Sequence, residues 1–258
     1  MMFAPIFYLL THLWLPSIQH AAIVPVAKPF VSDSLTKYIY LSFDDGPLVG
    51  TANCMNICTH QKVEATFFEV GMHQERSIFT KGLYSSIYKN DSLFALCNHS
   101  YSHAYGKYLD FYHQPDTAFF DFLRAKNILH PKNNIIRLPG NNAWNTNIAK
   151  RASGLVRPLV HKLDSAGYNI IGWDLEWHFN KKGRPVQSAQ RMANLVDTLF
   201  AKNQTMTKNH LVILMHDHMF GASVDSAKLA AMVSILKTNP HYQFRKLTQY
   251  PSLKNGGR

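Results

Sequence analysis

The 258-residue chain is short of acid, of cysteine and of uninterrupted apolar sequence. Asp and Glu total 16 against 27 Lys and Arg, which gives a formal charge of +11. A surface of that sign favours anionic surroundings. Nucleic acid is not expected as the partner, because no basic run exceeds a pair such as Lys181-Lys182 and no groove-binding motif accompanies the charge. An anionic cell envelope suits the excess better. Three cysteines, Cys54, Cys58 and Cys97, are too few and too irregularly spaced for a disulfide framework or a zinc ribbon, so buried free thiols are expected. No Gly/Ser linker or internal repeat divides the chain, and 46% apolar with 17% charged residues excludes disorder and collagen-like structure.

Residues 1 to 27 contain no Asp, Glu, Lys or Arg. The stretch from Met1 to Ile18 is mostly apolar, but Pro5, Thr11, His12 and Pro16 interrupt it too often for a spanning helix. With the small residues Ala21, Ala22 and Ala27 behind it, this segment reads as a secretory signal without a basic start, or as an uncleaved N-terminal anchor. Either reading makes the protein exported, periplasmic or extracellular. Residues 28 to 258 are then a single catalytic domain, expected to be monomeric.

Six short apolar runs read as strands: Tyr38 to Phe43, Val63 to Val70, Leu93 to Cys97, Asn134 to Leu138, Tyr168 to Trp173 and Leu211 to Met215. Between them lie helical patterns. Met192, Leu195, Val196, Leu199 and Phe200 form one apolar stripe, and Leu229, Met232, Val233 and Leu236 form another. Alternating strand and helix imply a parallel sheet covered by helices, doubly wound or closed into a barrel. Both forms place chemistry at the carboxyl ends of the strands.

The strand ends are where the unusual residues lie. The first runs into Asp44-Asp45-Gly46-Pro47, two adjacent carboxylates that repel unless a cation or a proton reconciles them. After the third come His99 and His103, four residues apart, able to share one metal if the segment makes a helical turn. Such a pair with a distant Asp supplies the three protein ligands of a catalytic zinc site. Arg137-Leu138-Pro139-Gly140 follows the fourth strand, Asp174-Leu175-Glu176-Trp177 the fifth, and His216-Asp217-His218 the sixth.

In this order the motifs resemble the NodB-type polysaccharide deacetylases, carbohydrate esterase family 4, from about Tyr38 to about Tyr250. Ser42 to Pro47 match the family's Thr/Ser-Phe-Asp-Asp-Gly-Pro motif, and His99 to His103 match His-Ser/Thr-x-x-His. Ala65 to Phe68 resemble its second strand, and Leu214 to His216 match Leu-x-His. Two motifs depart. Gly140-Asn141 stand where the family has an aromatic residue and glycine, and Glu176-Trp177 stand where it has Asp-Trp.

The resemblance implies an α/β fold, a distorted (β/α) barrel with parallel strands surrounded by helices. It implies a metal-dependent hydrolase that removes N-acetyl groups from an amino-sugar polymer such as peptidoglycan, chitin or poly-N-acetylglucosamine. Asp45, His99 and His103 would hold one divalent cation, Zn2+ first, with Co2+ or Ni2+ as alternatives. Asp44 would be the general base, oriented by Arg137, and His216 the general acid, assisted by Glu176. The Gly140 N–H would serve an oxyanion hole, Trp177 would wall the acetyl pocket, and Trp144 would replace the missing aromatic. Ser100 would steady the loop, and Asp174 and His218 would make local hydrogen bonds. The competing readings are an ester deacetylase acting on O-acetylated glycan and a silent carbohydrate-binding domain on the same fold.

Overall fold

Strand β1, Lys37–Gly46, alternates as far as Asp44, and that alternation organises the molecule. In the computed structural model, which describes Met1 and residues 36–254, Ile39, Leu41 and Phe43 point to one face of the sheet and enter the largest apolar core. Tyr40 points to the other, into a second core, and Ser42 and Asp44 follow it by the period of two. Strands β2, Ala65–Glu69, and β3, Phe94–Asn98, repeat the pattern. Phe67 and Leu96 pack on the outer side, Phe68 and Cys97 on the inner. A sheet buried on both faces reads as continuous apolar runs, which is why these strands stand out in the sequence.

The remaining strands are β4, Ile135–Ile136; β5, Trp144–Asn145; β6, Lys150–Arg151; β7, Asn169–Ile170; β8, Leu175–Glu176; β9, His210–His216; and β10, Tyr242–Phe244. The order across the sheet is β6-β5-β7-β4-β3-β2-β1-β9-β8, with β10 also paired to β1. All pairings are parallel except those of β5 with β6 and with β7. Helices cover the outer face. Those at Val49–Gln61 (α1), Ala189–Ala201 (α7) and Ser223–Lys237 (α8) bury the Met192/Val196/Phe200 and Leu229/Met232/Val233/Leu236 stripes against β1 and β9. Helices α5, Pro115–Leu129, and α6, Arg157–Ser165, close a smaller core over β4 and β7. Cys54, Cys58 and Cys97 are buried free thiols.

All six expected strands form, although those after Asn134 and Tyr168 are shorter than their apolar runs. The described residues 36–254 make one compact unit. The signal or anchor expected at residues 1–27 lies outside the described residues, Met1 apart. Among the described residues no helix is long and apolar enough to cross a membrane.

Candidate active site

Asp44 and Asp45 are neighbours in an extended strand, and neighbours should face opposite ways. A bulge resolves this. Asp44 pairs with Phe68 and Gly46 with Glu69, which leaves Asp45 as the extra residue with a left-handed φ of 74°. The added residue bends the strand so that both carboxylates serve one cleft. The His73 ring nitrogen Nδ1 lies 2.7 Å from the Asp45 carbonyl oxygen, pinning the bulge, a contact with no sequence signal.

The histidine pair converges without forming an α-helical turn. Ser100, His103, Ala104 and Tyr105 all have positive φ, and the chain reverses in a left-handed turn at His103–Gly106. Asn98 Oδ1 accepts from the Ser100 N–H at 2.8 Å, and Ser100 Oγ accepts from the His103 N–H at 3.0 Å. Ser100 therefore steadies the loop. Each left-handed residue other than glycine costs about 1–2 kcal/mol, a strain the surrounding structure must hold.

A donor atom from each of Asp45, His99 and His103 lies within 4.8 Å of the others. Asp45 Oδ1 is 3.0 Å from His103 Nε2 and 3.5 Å from His99 Nε2, yet this buried oxygen makes no aligned hydrogen bond. Lone pairs that converge without donor geometry suit a shared cation. His99 Nδ1 lies 2.9 Å from the Arg137 carbonyl, which makes Nδ1 the protonated nitrogen and leaves the Nε2 lone pair for a metal. Burial disfavours the Asp45 anion, but the His103 and His99 rings outweigh it and hold its carboxyl well below the usual range. The residues fit a divalent cation.

Asp44 is 2% exposed and is held by Arg137, whose side chain is fully buried. Arg137 Nη1 donates to Asp44 Oδ1 at 2.7 Å and to Ser42 Oγ at 2.8 Å. Nη2 donates to the Gly172 carbonyl at 2.8 Å, Nε to that of Ile171 at 3.1 Å, and the guanidinium lies 4.1 Å from the Phe68 ring centre. These bonds commit the guanidinium to holding Asp44. Ser42 in turn donates to the Ile213 carbonyl at 2.7 Å, linking the arginine to β9.

His216 stands level with Asp44 across the β1–β9 pair and faces the same cleft, a space of about 250 Å³. Its Nδ1 is buried without a hydrogen-bond partner, and the expected contact with Glu176 is not made. Glu176 pairs with Leu214, two residues short of His216, and its Oε1 lies 3.3 Å from Nδ1 of His178, two residues further along its own segment. Both side chains still line or border one cleft. Asp174 accepts from the Met206 and Val212 N–H groups, a local role, while the His218 ring packs on Phe179.

The two tryptophans expected at the substrate site are in the core. Trp144 is 1% exposed, its indole N–H donating to Asn142 at 3.0 Å, and Trp177 is fully buried against Phe220 with its N–H donating to the Gln187 carbonyl. An indole whose N–H finds a partner inside can be buried whole, and each of these does. Tyr108, Trp173 and Phe179 supply the aromatic lining instead. Gly140 borders the cleft, and its N–H is not taken by a backbone acceptor.

Residues 32–154, which hold the Asp-Asp, His-x-x-x-His and Arg137 motifs, match the polysaccharide deacetylase family model. Over these residues the chain is similar to the polysaccharide deacetylase family. A peptidoglycan-N-acetylglucosamine deacetylase of Bacillus cereus is 25% identical over 206 residues, covering 78% of this chain and 65% of that relative's length. The catalytic domain of a Eubacterium rectale peptidoglycan N-acetylglucosamine deacetylase superposes with a TM-score of 0.60 at 22% identity, covering 86% of this chain and 94% of its own. A family 4 carbohydrate esterase from Streptomyces lividans, solved with acetate, gives 0.58 at 18% identity, covering 86% and 98%. The distorted barrel is thus the fold this chain shares with these solved structures.

Proposed function

We propose that this protein is a polysaccharide deacetylase, a metal-dependent hydrolase that removes N-acetyl groups from an amino-sugar polymer. The observation that carries the reading is the convergence of Asp45, His99 and His103 beside an Asp44 held by a buried arginine. An aspartate and two histidines with an open cleft beside them suit Zn2+, and Co2+ or Ni2+ accept the same donors. When bound, such a cation supplies Lewis acidity, polarising an acetyl carbonyl and acidifying water.

The protein groups do the rest. Asp44, kept in place by Arg137, takes the proton of the attacking water. The Gly140 N–H donates to the oxygen that gains charge. His216 hands a proton to the departing nitrogen, and Glu176 contributes negative charge at the mouth of the cleft. We further assign the protein to the exported, cell-envelope class, a reading supported by its charge of +11 and by the named substrate of the Bacillus cereus relative.

Acetate release from peptidoglycan, chitin oligomers, poly-N-acetylglucosamine and acetylated xylan tests the reading. Release from the N-acetylated polymers is expected. Release from xylan alone would mean an ester deacetylase, and binding without release a silent domain. Within the active enzyme, Asp44→Asn should abolish turnover with metal content intact, whereas Asp45→Asn should lose the metal. Equal metal loss in the two variants would overturn this assignment of roles.

The leaving nitrogen gives a sharper test. An amide anion is too basic to depart unaided, while the phenolate of an activated aryl acetate leaves without a proton. His216→Ala should therefore lose about 100-fold to 10,000-fold on amide and markedly less on aryl acetate. Equal losses on both substrates would remove His216 as the acid.

A further inference from the structure

Tyr108 opens helix α4, Tyr108–His113, and its ring lies over a residue with no side chain. A Cβ on Gly140 would stand 3.1 Å from Tyr108 Cζ and 3.2 Å from Cε1 and Cε2. The hydroxyl end of the ring therefore rests over the Gly140 backbone. Gly140 has a left-handed φ of 59°, which asparagine also tolerates, so the conformation alone does not call for glycine. The ring does. On another side it meets the edge of His103, with ring centres 5.7 Å apart at 87°. Held at these two points, Tyr108 stays 36% exposed and lines the cleft.

Phe179 bounds the same cleft from the His216 side, 42% exposed, with its ring centre 5.0 Å from that of His216. The site thus has a metal-binding histidine backed by one aromatic ring and the candidate acid backed by another. A pyranose with equatorial substituents presents C–H groups on both faces. Aromatic side chains pack against such faces with few torsions to freeze.

We propose that Tyr108 is a specificity-determining residue, the wall against which the face of a pyranose unit of the polymer packs, and that Gly140 is bare so that this ring can occupy the site. The inference rests on reading the cleft as a glycan deacetylase site and adds the recognition of a flat, equatorially substituted sugar ring. Neither Trp144 nor Trp177 can do this from the core. An acetylated substrate without a pyranose face gains nothing from Tyr108.

The test compares an N-acetylglucosamine tetramer with an activated aryl acetate, with metal content measured in every variant. Tyr108→Leu keeps apolar bulk over Gly140 but removes the flat surface. It should lower kcat/KM for the tetramer by about tenfold more than for the aryl acetate, equivalent to about 1.4 kcal/mol, and the loss should fall in KM. Tyr108→Phe should change the ratio by less than about threefold. Gly140→Ala should give an intermediate loss, because its methyl pushes the ring out of place, and the exchange Tyr108→Ala with Gly140→Tyr should recover part of the tetramer activity.

An unchanged substrate ratio in Tyr108→Leu, or a loss confined to kcat, overturns the assignment. Calorimetric binding of the tetramer to the metal-free protein separates this failure from failure of the deacetylase reading. Weaker binding by Tyr108→Leu supports the wall even if no acetate is released. Equal binding, or none by the wild type, overturns it.

Discussion

Arg137→Met is expected to destabilise the protein by about 3–5 kcal/mol and to abolish turnover. The guanidinium satisfies two backbone carbonyls, a hydroxyl and the Asp44 carboxylate, all in the interior. Methionine fills much of the volume but leaves Asp44 as a buried charge without its cation, and the Gly172 and Ile171 carbonyls without their donors. Arg137→Lys should also fail, because a single ammonium cannot span four acceptors fixed by a planar fork. Thermal or urea unfolding of the metal-free protein measures the effect. Adding Asp44→Asn to Arg137→Met removes the stranded charge, so the double variant should be more stable than the single one by at least about 1 kcal/mol. A single variant within 1 kcal/mol of wild type, or a double variant no better than the single one, would refute the account.

Stability of the metal-free protein should fall as pH rises from about 5 to 8, and Glu69→Gln should make that fall shallower. Glu69 and Asp217 are buried side by side beneath the bulge: a Cβ on Gly46 would lie 2.6 Å from Glu69 Oε1 and 2.6 Å from Asp217 Oδ2. Thr51 donates to Asp217, while both oxygens of Glu69 have no hydrogen-bond partner. Burial first, then repulsion by Asp217, raises the Glu69 carboxyl well above its ordinary range. Burial likewise pushes Asp217 up to about 8, with Asp45 and Asp44 adding to it.

A carboxyl raised on folding stabilises the fold fully below its unfolded pKa. That contribution disappears as pH climbs through the folded value. Both carboxyls act in this direction, Asp217 losing its share as pH approaches about 8. Glutamine at 69 cannot ionise, so the variant keeps only the pH dependence of Asp217, which burial sets. Its stability relative to wild type should therefore increase steadily from pH 5 to pH 8 in chelator. A difference that stays flat across that range would show that the pair does not titrate there.

The strands and the ligand trio were legible because each depends on short-range pattern. β1, β2, β3 and β9 are buried on both faces and read as apolar runs, and Asp44, Asp45, His99 and His103 stand at their ends. What sequence did not disclose depends on orientation. Trp144 and Trp177 sit beside motif residues, yet a difference of one position in extended chain sends a side chain to the opposite face. The helical turn expected between His99 and His103 is replaced by left-handed residues, a choice set by the Asn98 and Ser100 side chains.

The family resemblance puts Glu176 on His216, a contact that strand length rules out. The two-residue strand β8 stops level with Leu214 and turns its carboxylate to His178. The β5/β6 hairpin and β10 are only two or three residues long and carry no period that could be read. Glu69 and Asp217 meet only because β2 and the segment after β9 flank β1.

β1 is bonded to β2, β9 and β10 at once, so its register is fixed from both sides. Frame and rim are therefore separable for anyone redesigning the protein. A slip of β1 by one residue would turn Asp44 out of the cleft, and no change in a surrounding loop could repair it. Tyr108 and Phe179, by contrast, stand on segments that follow the strands and bear no ladder hydrogen bond of β1. Retargeting to a different acetylated polymer should thus be sought in residues 104–113 and 178–187, with the acid pair and its arginine left as they are.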